Sequence, residues 1–240
     1  VNNNWNLYAN YAKGRRSPVV DASAAGTTIT KAEIVDSYDL GVKYQSANFI
    51  FSGAIFTYEY SDYQQSYTDP ETLQSITVTV GDSTMSGIEG MATYNYSDTL
   101  TFTASLGFLD AEFADNTSDG SPFQYGGNKF RLAPEVSGAI NINKVVHFDN
   151  WTMDVNWLTS FQSEVFFESS NYPGMSQDTY SLTDFSLKLN RESSEFAYEF
   201  YVNNLFDKEF LIDAGNTGGR IGIPTFVRGM PRIAGVRLYY

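Results

Sequence analysis

The chain contains no cysteine and a single histidine, His147, among its 240 residues. The first absence excludes a disulfide framework and any thiolate metal site. The second leaves no His/Cys spacing able to hold zinc. No run of about 18 apolar residues exists, which excludes a transmembrane helix. The opening Val1-Asn2-Asn3-Asn4-Trp5 has neither a basic start nor an apolar signal core, so an export signal, if used, lies upstream or has been removed. Basic residues are few: 15 Lys and Arg against 28 Asp and Glu give a formal charge of −13, which argues against binding a nucleic-acid backbone.

Aromatic residues, by contrast, are abundant, with 17 Tyr and 18 Phe, a surplus that suits strands and membrane interfaces. Their placement is periodic. From Trp151 to Phe161, one side carries Trp151, Met153, Val155, Trp157, Thr159 and Phe161. The other carries Thr152, Asp154, Asn156, Ser160 and Gln162, with Leu158 the exception. Successive strand side chains point to opposite faces, so this segment has one apolar and one polar face.

The pattern recurs about ten times. The strands read as Trp5 to Tyr11, Ile34 to Gln45, Phe49 to Tyr60, some or all of Ile76 to Tyr96, and Leu100 to Phe108. They continue as Phe130 to Asn143, Trp151 to Phe161, Tyr180 to Asn190, Phe196 to Asn203 and Ile233 to Tyr240. Short turns fall at Ser46 to Asn48, Ser97-Asp98, Lys144 to Asn150 and Glu192 to Glu195. Long polar connections alternate with them: Lys13 to Glu33, Ser61 to Ser75, Asp110 to Lys129, Ser163 to Thr179 and Asn204 to Arg232. Short periplasmic turns alternating with long extracellular loops mark a transmembrane β-barrel. The expected fold is therefore all-β, an antiparallel up-and-down barrel wall, with residues 1–240 as one region. The long loops are expected outside and both termini in the periplasm. A soluble antiparallel β protein is the alternative.

Several segments resemble a known family. Asn203-Asn204-Leu205-Phe206-Asp207-Lys208-Glu209-Phe210 is similar to the penultimate-strand motif of TonB-dependent outer-membrane receptors. Gly229-Met230-Pro231-Arg232 with the terminal Tyr239-Tyr240 resembles that family's closing segment. Leu7 to Gly14, Val35 to Gly41 and Lys129 to Pro134 resemble its earlier strands, in the family's order. The resemblance implies a bacterial outer-membrane importer with a plugged barrel of roughly 22 strands. This chain would then be the C-terminal part of that barrel, without the plug and the segment that couples to an inner-membrane energy protein. It further implies that Tyr240 is read by the barrel-assembly machinery; an ordinary interface aromatic is the alternative.

Trp5, Tyr11, Tyr44, Tyr94, Tyr96, Trp151 and Phe196 stand near strand ends, where amphipathic rings would form girdles against outer-membrane lipid. Tyr60, Tyr63, Tyr67, Phe123, Tyr125, Phe167 and Tyr172 fall in or beside long loops. They could stack on a ligand or pack the loops together. Arg15, Arg16, Arg220 and Arg228 could grip anionic groups of a chelate through forked hydrogen bonds, or neutralise neighbouring carboxylates. His147 falls in a turn, away from any partner for catalysis, so no catalytic or metal residue is assigned and no cofactor is expected. The leading expectation is an energised uptake receptor for a small scarce nutrient such as a siderophore-type iron chelate. The alternative is a self-contained small barrel, either an omptin-like enzyme or a passive or structural barrel. Pairing of the first strand with the last would distinguish them.

Overall fold

A computed structural model describes residues 4–23, 26–68, 75–114, 125–192, 194–218 and 223–240. Among them the chain forms strands and no helix. In chain order these are β1 (Trp5–Arg16), β2 (Val20–Ser23), β3 (Gly26–Ile29), β4 (Glu33–Gln45), β5 (Phe49–Ser61) and β6 (Gln64–Thr68). Next come β7 (Ser75–Thr79), β8 (Ser83–Ser97), β9 (Leu100–Phe113), β10 (Val136–Phe148), β11 (Trp151–Gln162) and β12 (Val165–Phe166). The last are β13 (Ser176–Gln177), β14 (Tyr180–Arg191), β15 (Ala197–Asn203), β16 (Leu211–Gly218), β17 (Ile223–Arg228) and β18 (Ile233–Tyr239).

Ten of these strands make one antiparallel wall in the order β1-β4-β5-β8-β9-β10-β11-β14-β15-β18, which is their order in sequence. Each wall strand pairs with its sequence neighbour, because period-2 patterning and short turns favour local hairpins. The register carries a steady stagger. Leu7, Val42, Gly53, Gly90, Leu106, Gly138 and Phe161 stand opposite one another in turn. This row starts near the short-turn end of β1 and finishes near the long-loop end of β11. A climb of about one residue per strand tilts the strands by about 40°, the inclination that closed barrels require. The chain itself is not closed: β1 and β18 are the two edges and do not pair with each other. A self-contained ten-stranded barrel is therefore not the architecture seen.

The apolar positions of the alternation share one face. Leu7, Leu40, Ile55, Leu106, Ile140, Val236 and Leu238 are all more than 40% exposed there. Close packing of that face is visible at Gly138, where a Cβ would come within 2.6 Å of the Ser105 carbonyl and 2.7 Å of the Phe161 ring. At the short-turn end, Trp5 meets Tyr44 at 4.6 Å, Tyr44 meets Phe49 at 6.0 Å and Tyr94 meets Tyr96 at 6.3 Å between ring centres. Towards the other end, the face changes character at Lys13 and Asp36, whose side chains pair at 3.0 Å. The opposite face is polar. It carries Asn143 donating to Asp154, and Arg237 and Tyr239 both donating to Glu199.

Several boundaries differ from those read in the sequence. The first strand continues past Tyr11 to Arg16, which places Tyr11 inside β1, donating to Asp36. The segment from Ile76 to Tyr96 is two strands, β7 and β8, separated where Gly81 adopts a φ of 103°. The strand expected from Phe130 begins at Val136, since Leu132 is left-handed (φ 55°) and Pro134 lacks an N–H. That strand then runs on to Phe148, so the turn shrinks to Asp149-Asn150 and His147 lies in β10, its Nδ1 3.2 Å from Thr152 Oγ1. Phe196 precedes β15 and Tyr240 follows β18. Among the described residues, four long connections also contain short hairpins of their own: β2-β3, β6-β7, β12-β13 and β16-β17.

Candidate ligand-binding mouth

The five long connections leave the wall at one end, where two small cores hold described parts of the second to the fifth and hydrogen bonds from Gln64 tie the first to the second. Along β9 the polar-face positions run Thr101, Thr103, Ser105, Gly107 and then become Leu109, Ala111 and Phe113. The change occurs because the connections fold over that part of the polar face. Phe113, Ala111, Val80 and Phe130 form a buried core, with Tyr63, Met85, Leu109 and Tyr125 packed around it. Phe113 and Phe130 ring centres are 4.7 Å apart, Tyr63 sits 5.3 Å from Phe130, and Tyr60 meets Tyr63 edge-on at 5.5 Å. Such offset and edge contacts add about 0.5–1.5 kcal/mol per pair beyond simple burial. Burial, with a nearby Glu33 carboxylate, pushes the Tyr63 phenol above its ordinary range and keeps it protonated.

The second core joins Val165, Phe167 and Ala214, with Met175 and Leu211 against it. Polar links tie the two cores. Asn171 accepts from the Lys129 N–H at 2.7 Å and donates to the Lys129 carbonyl at 3.0 Å. Asn128 donates to the Ser169 carbonyl and Leu132 N–H to the Phe166 carbonyl. Asn171 has a φ of 48°, a left-handed conformation that asparagine tolerates. The Gln64, Gln65 and Ser83 side chains each hold a buried oxygen with no hydrogen-bond partner. Gln64 and Gln65 follow Tyr63 directly, and Ser83 on β8 stands opposite Tyr60 on β5.

The structure brings some of the sequence-derived candidates together and separates others. Tyr60, Tyr63 and Tyr125 share the first core. Phe167 is 2% exposed in the second, where it supports the loops. Tyr67 is on β6 opposite Ile76. Tyr172 is exposed. Arg16 donates to the Gln64 carbonyl from the polar face, whereas Arg15 alternates to the other face. Arg228 stands exposed, 4.0 Å from Glu209. Phe123 and Arg220 lie outside the described residues. Sequence reasoning missed Phe113, Phe130, Gln64, Gln65, Ser169 and Asn171. For Phe113 a signal existed in the polar-to-apolar change along β9; for the polar residues none did. Among the described residues no group of three or more His, Asp or Glu side chains is placed to hold a metal ion.

The motif residues near the C-terminus meet one another. Asn204, left-handed at φ 52° and 5% exposed, donates to the Lys208 and Met230 carbonyls and accepts from the Lys208 N–H. The Arg232 N–H donates to Asp207 at 2.9 Å. The segments around Asn204 and Met230 thus form one corner that joins β15 to β18.

The protein-family model described as TonB dependent receptor-like, beta-barrel, matches residues 1–205. The pesticin receptor of Yersinia pestis is 21% identical over 213 residues, 88% of this chain and 30% of its own length. The crystal structure of the ferric yersiniabactin uptake receptor FyuA from Yersinia pestis superposes with a TM-score of 0.82 at 20% identity, covering 99% of this chain and 35% of that one. BauA, the ferric preacinetobactin receptor from Acinetobacter baumannii, gives 0.71 at 17% identity, covering 98% and 33%. The chain thus spans about a third of the length of the relatives it matches.

Proposed function

We propose a function from one premise: this chain belongs to the TonB-dependent receptor β-barrel family. It acts as part of an energised outer-membrane uptake receptor. Its wall forms one portion of a larger barrel, and its loops capture a small ligand such as a siderophore-type iron chelate. The observation that carries this reading is a tilted, open wall whose long connections leave at one end, with described parts of the second and third packed over the polar face. Unpaired strand edges cannot face lipid, so β1 and β18 each need a further strand, which the larger barrel would supply.

On this reading the apolar face meets outer-membrane lipid, with Trp5, Tyr44, Tyr94, Tyr96, Trp151 and Phe196 in the periplasmic girdle and Tyr11 near the outer one. The loops face outward and both termini face the periplasm. The exposed Tyr172 offers a ring to the ligand, Tyr60, Tyr63 and Tyr125 brace the loops around it, and Arg16 offers a guanidinium. Tyr240 is 88% exposed, its ring 5.1 Å from Phe196, which suits a role in recognition by the barrel-assembly machinery. Energy arrives through an inner-membrane coupling protein that engages another part of the receptor. The reading includes no enzymatic step.

The test is deletion of the intact gene in its host, followed by radioactive-iron uptake from a panel of ferric chelates under iron limitation. Loss of uptake from one chelate, restored by the wild-type gene and abolished by collapsing the proton gradient, is the expected result. Unchanged uptake from every chelate would overturn the reading as an iron-chelate receptor.

A further inference from the structure

Two consecutive glutamines at the start of β6 point to opposite sides, as strand neighbours must. Gln64 is 3% exposed and reaches the first connection. Its Nε2 donates to the carbonyls of Ser17 (3.1 Å) and Lys31 (2.7 Å), and its backbone N–H donates to Glu33 at 2.7 Å. Gln65 reaches the fourth connection, where its Nε2 donates to Ser169 Oγ at 3.0 Å. The second connection is thereby pinned between the first and the fourth.

The remaining joints complete a series. Thr77 N–H donates to Asp21 at 2.6 Å, a second tie between the first and second connections. Tyr63 packs on Phe130, joining the second to the third. Asn171 clamps both backbone groups of Lys129, joining the third to the fourth. Leu211 N–H donates to Gln177 at 2.6 Å, and Ala214 packs on Phe167, joining the fourth to the fifth. Each connection is therefore held by its neighbours as well as by the wall.

We propose that the described parts of the five connections form one cooperative cap, with Gln64 locking the first connection to the second and Asn171 the third to the fourth as the positioning residues of a single opening unit. A segment that must break a neighbour's bonds to move cannot open alone. The cap then opens as a block, and its amides share one opening free energy. Because coupling between two positions is reciprocal, weakening either lock loosens the far side as well.

Amide hydrogen exchange on the full-length protein, assembled in detergent, tests this without any ligand, so its outcome is separate from that of the uptake experiment. Gln64→Met keeps the volume and removes the donors. Asn171→Asp keeps one acceptor and removes the donations to Lys129 and Glu168. Asn171→Asp is expected to speed exchange at Gln64, Thr77 and Val80 by the same factor, about tenfold or more, as at Lys129 and Leu132. Gln64→Met is expected to do the same at Lys129, Leu132 and Phe167. Wall amides such as Gly107 and Ala139 stay protected in both, which also certifies folding. Should Gln64→Met fail to assemble, Ser169→Ala interrogates the adjoining joint. Acceleration confined to the two connections that each residue bridges would overturn the proposal.

Discussion

In the wall, Leu106 is 44% exposed and Ile140 52%; in the cap, Phe113 and Phe167 are almost completely enclosed. Both regions are rich in apolar and aromatic side chains, yet they use them in opposite ways. The wall is one sheet thick. Its apolar face has no second layer to cover it, and an apolar area of that extent is stable only against lipid or another protein surface. The cap folds short hairpins onto one face of the wall and buries its rings against one another, as a water-soluble domain does. The wall therefore owes its stability to its surroundings and to backbone pairing, and the cap to its own packing. Side-chain changes should affect each region by a different physical route.

The sharpest break in that contrast is Phe113→Ala. It leaves a cavity in the first core and should cost about 3–5 kcal/mol. The loss should appear as faster amide exchange in the cap, while the assembled wall keeps its resistance to heat in detergent electrophoresis. A wall that melts together with the cap would show that the two are not separate units.

Leu106→Arg probes the other region. If the apolar face meets lipid as proposed, an arginine at mid-depth on it should cost about 2–4 kcal/mol, read by urea unfolding in lipid vesicles. The adjacent Ser105→Arg points to the polar face and should stay within about 1 kcal/mol. Equal effects from these two neighbours would mean that the apolar face does not meet lipid.

Asn204→Ala tests the corner where wall and cap connections meet. It removes donations to the Lys208 and Met230 carbonyls and the acceptor for the Lys208 N–H. A loss of about 1–3 kcal/mol is expected, because buried backbone groups are left unpaired. Faster proteolysis at the 204–210 corner, with the rest of the wall intact, is the readout.

The smallest effect is on pH dependence in the cap. Partial burial and the nearby Glu33 carboxylate raise the Tyr63 phenol above the ordinary tyrosine range, so its protonated form favours the folded cap. That contribution is complete below the ordinary phenol range and disappears as pH rises through the elevated value. Several tyrosines titrate late for similar reasons, Tyr58, Tyr60 and Tyr180 among them, and tyrosinate absorbance should lose one group from that late set in Tyr63→Phe. A titration curve identical to that of the wild type would refute the assignment.

Much of the wall was legible because its information is local. In β9, Leu100, Phe102, Ala104, Leu106 and Phe108 alternate with polar residues, and any strand with that pattern has two unlike faces. The C-terminal motifs were equally readable, and the structure explains them as the two halves of the Asn204 corner. Boundaries were less so. Alternation continues through Lys144 to Phe148 with weaker contrast, and the chain stays in the sheet because each residue to Phe148 still finds a backbone partner on β11.

The candidate mouth was only partly readable. Its tyrosines stood out by composition, but nothing near Gln65 in the chain points to Ser169, 104 residues away. Nor does anything at Asn171 point to Lys129, 42 residues away. Such a joint rests on one or two directional hydrogen bonds and leaves no periodic trace. The sequence by itself determined the two-faced strands, their up-and-down order and the end at which the long connections gather, since these follow from side-chain parity and loop length. Only the tertiary structure decided which connections interlock, that the rings enclose one another over the polar face, and that the wall's two edges stay apart, because these depend on contacts between distant residues whose geometry no local pattern encodes.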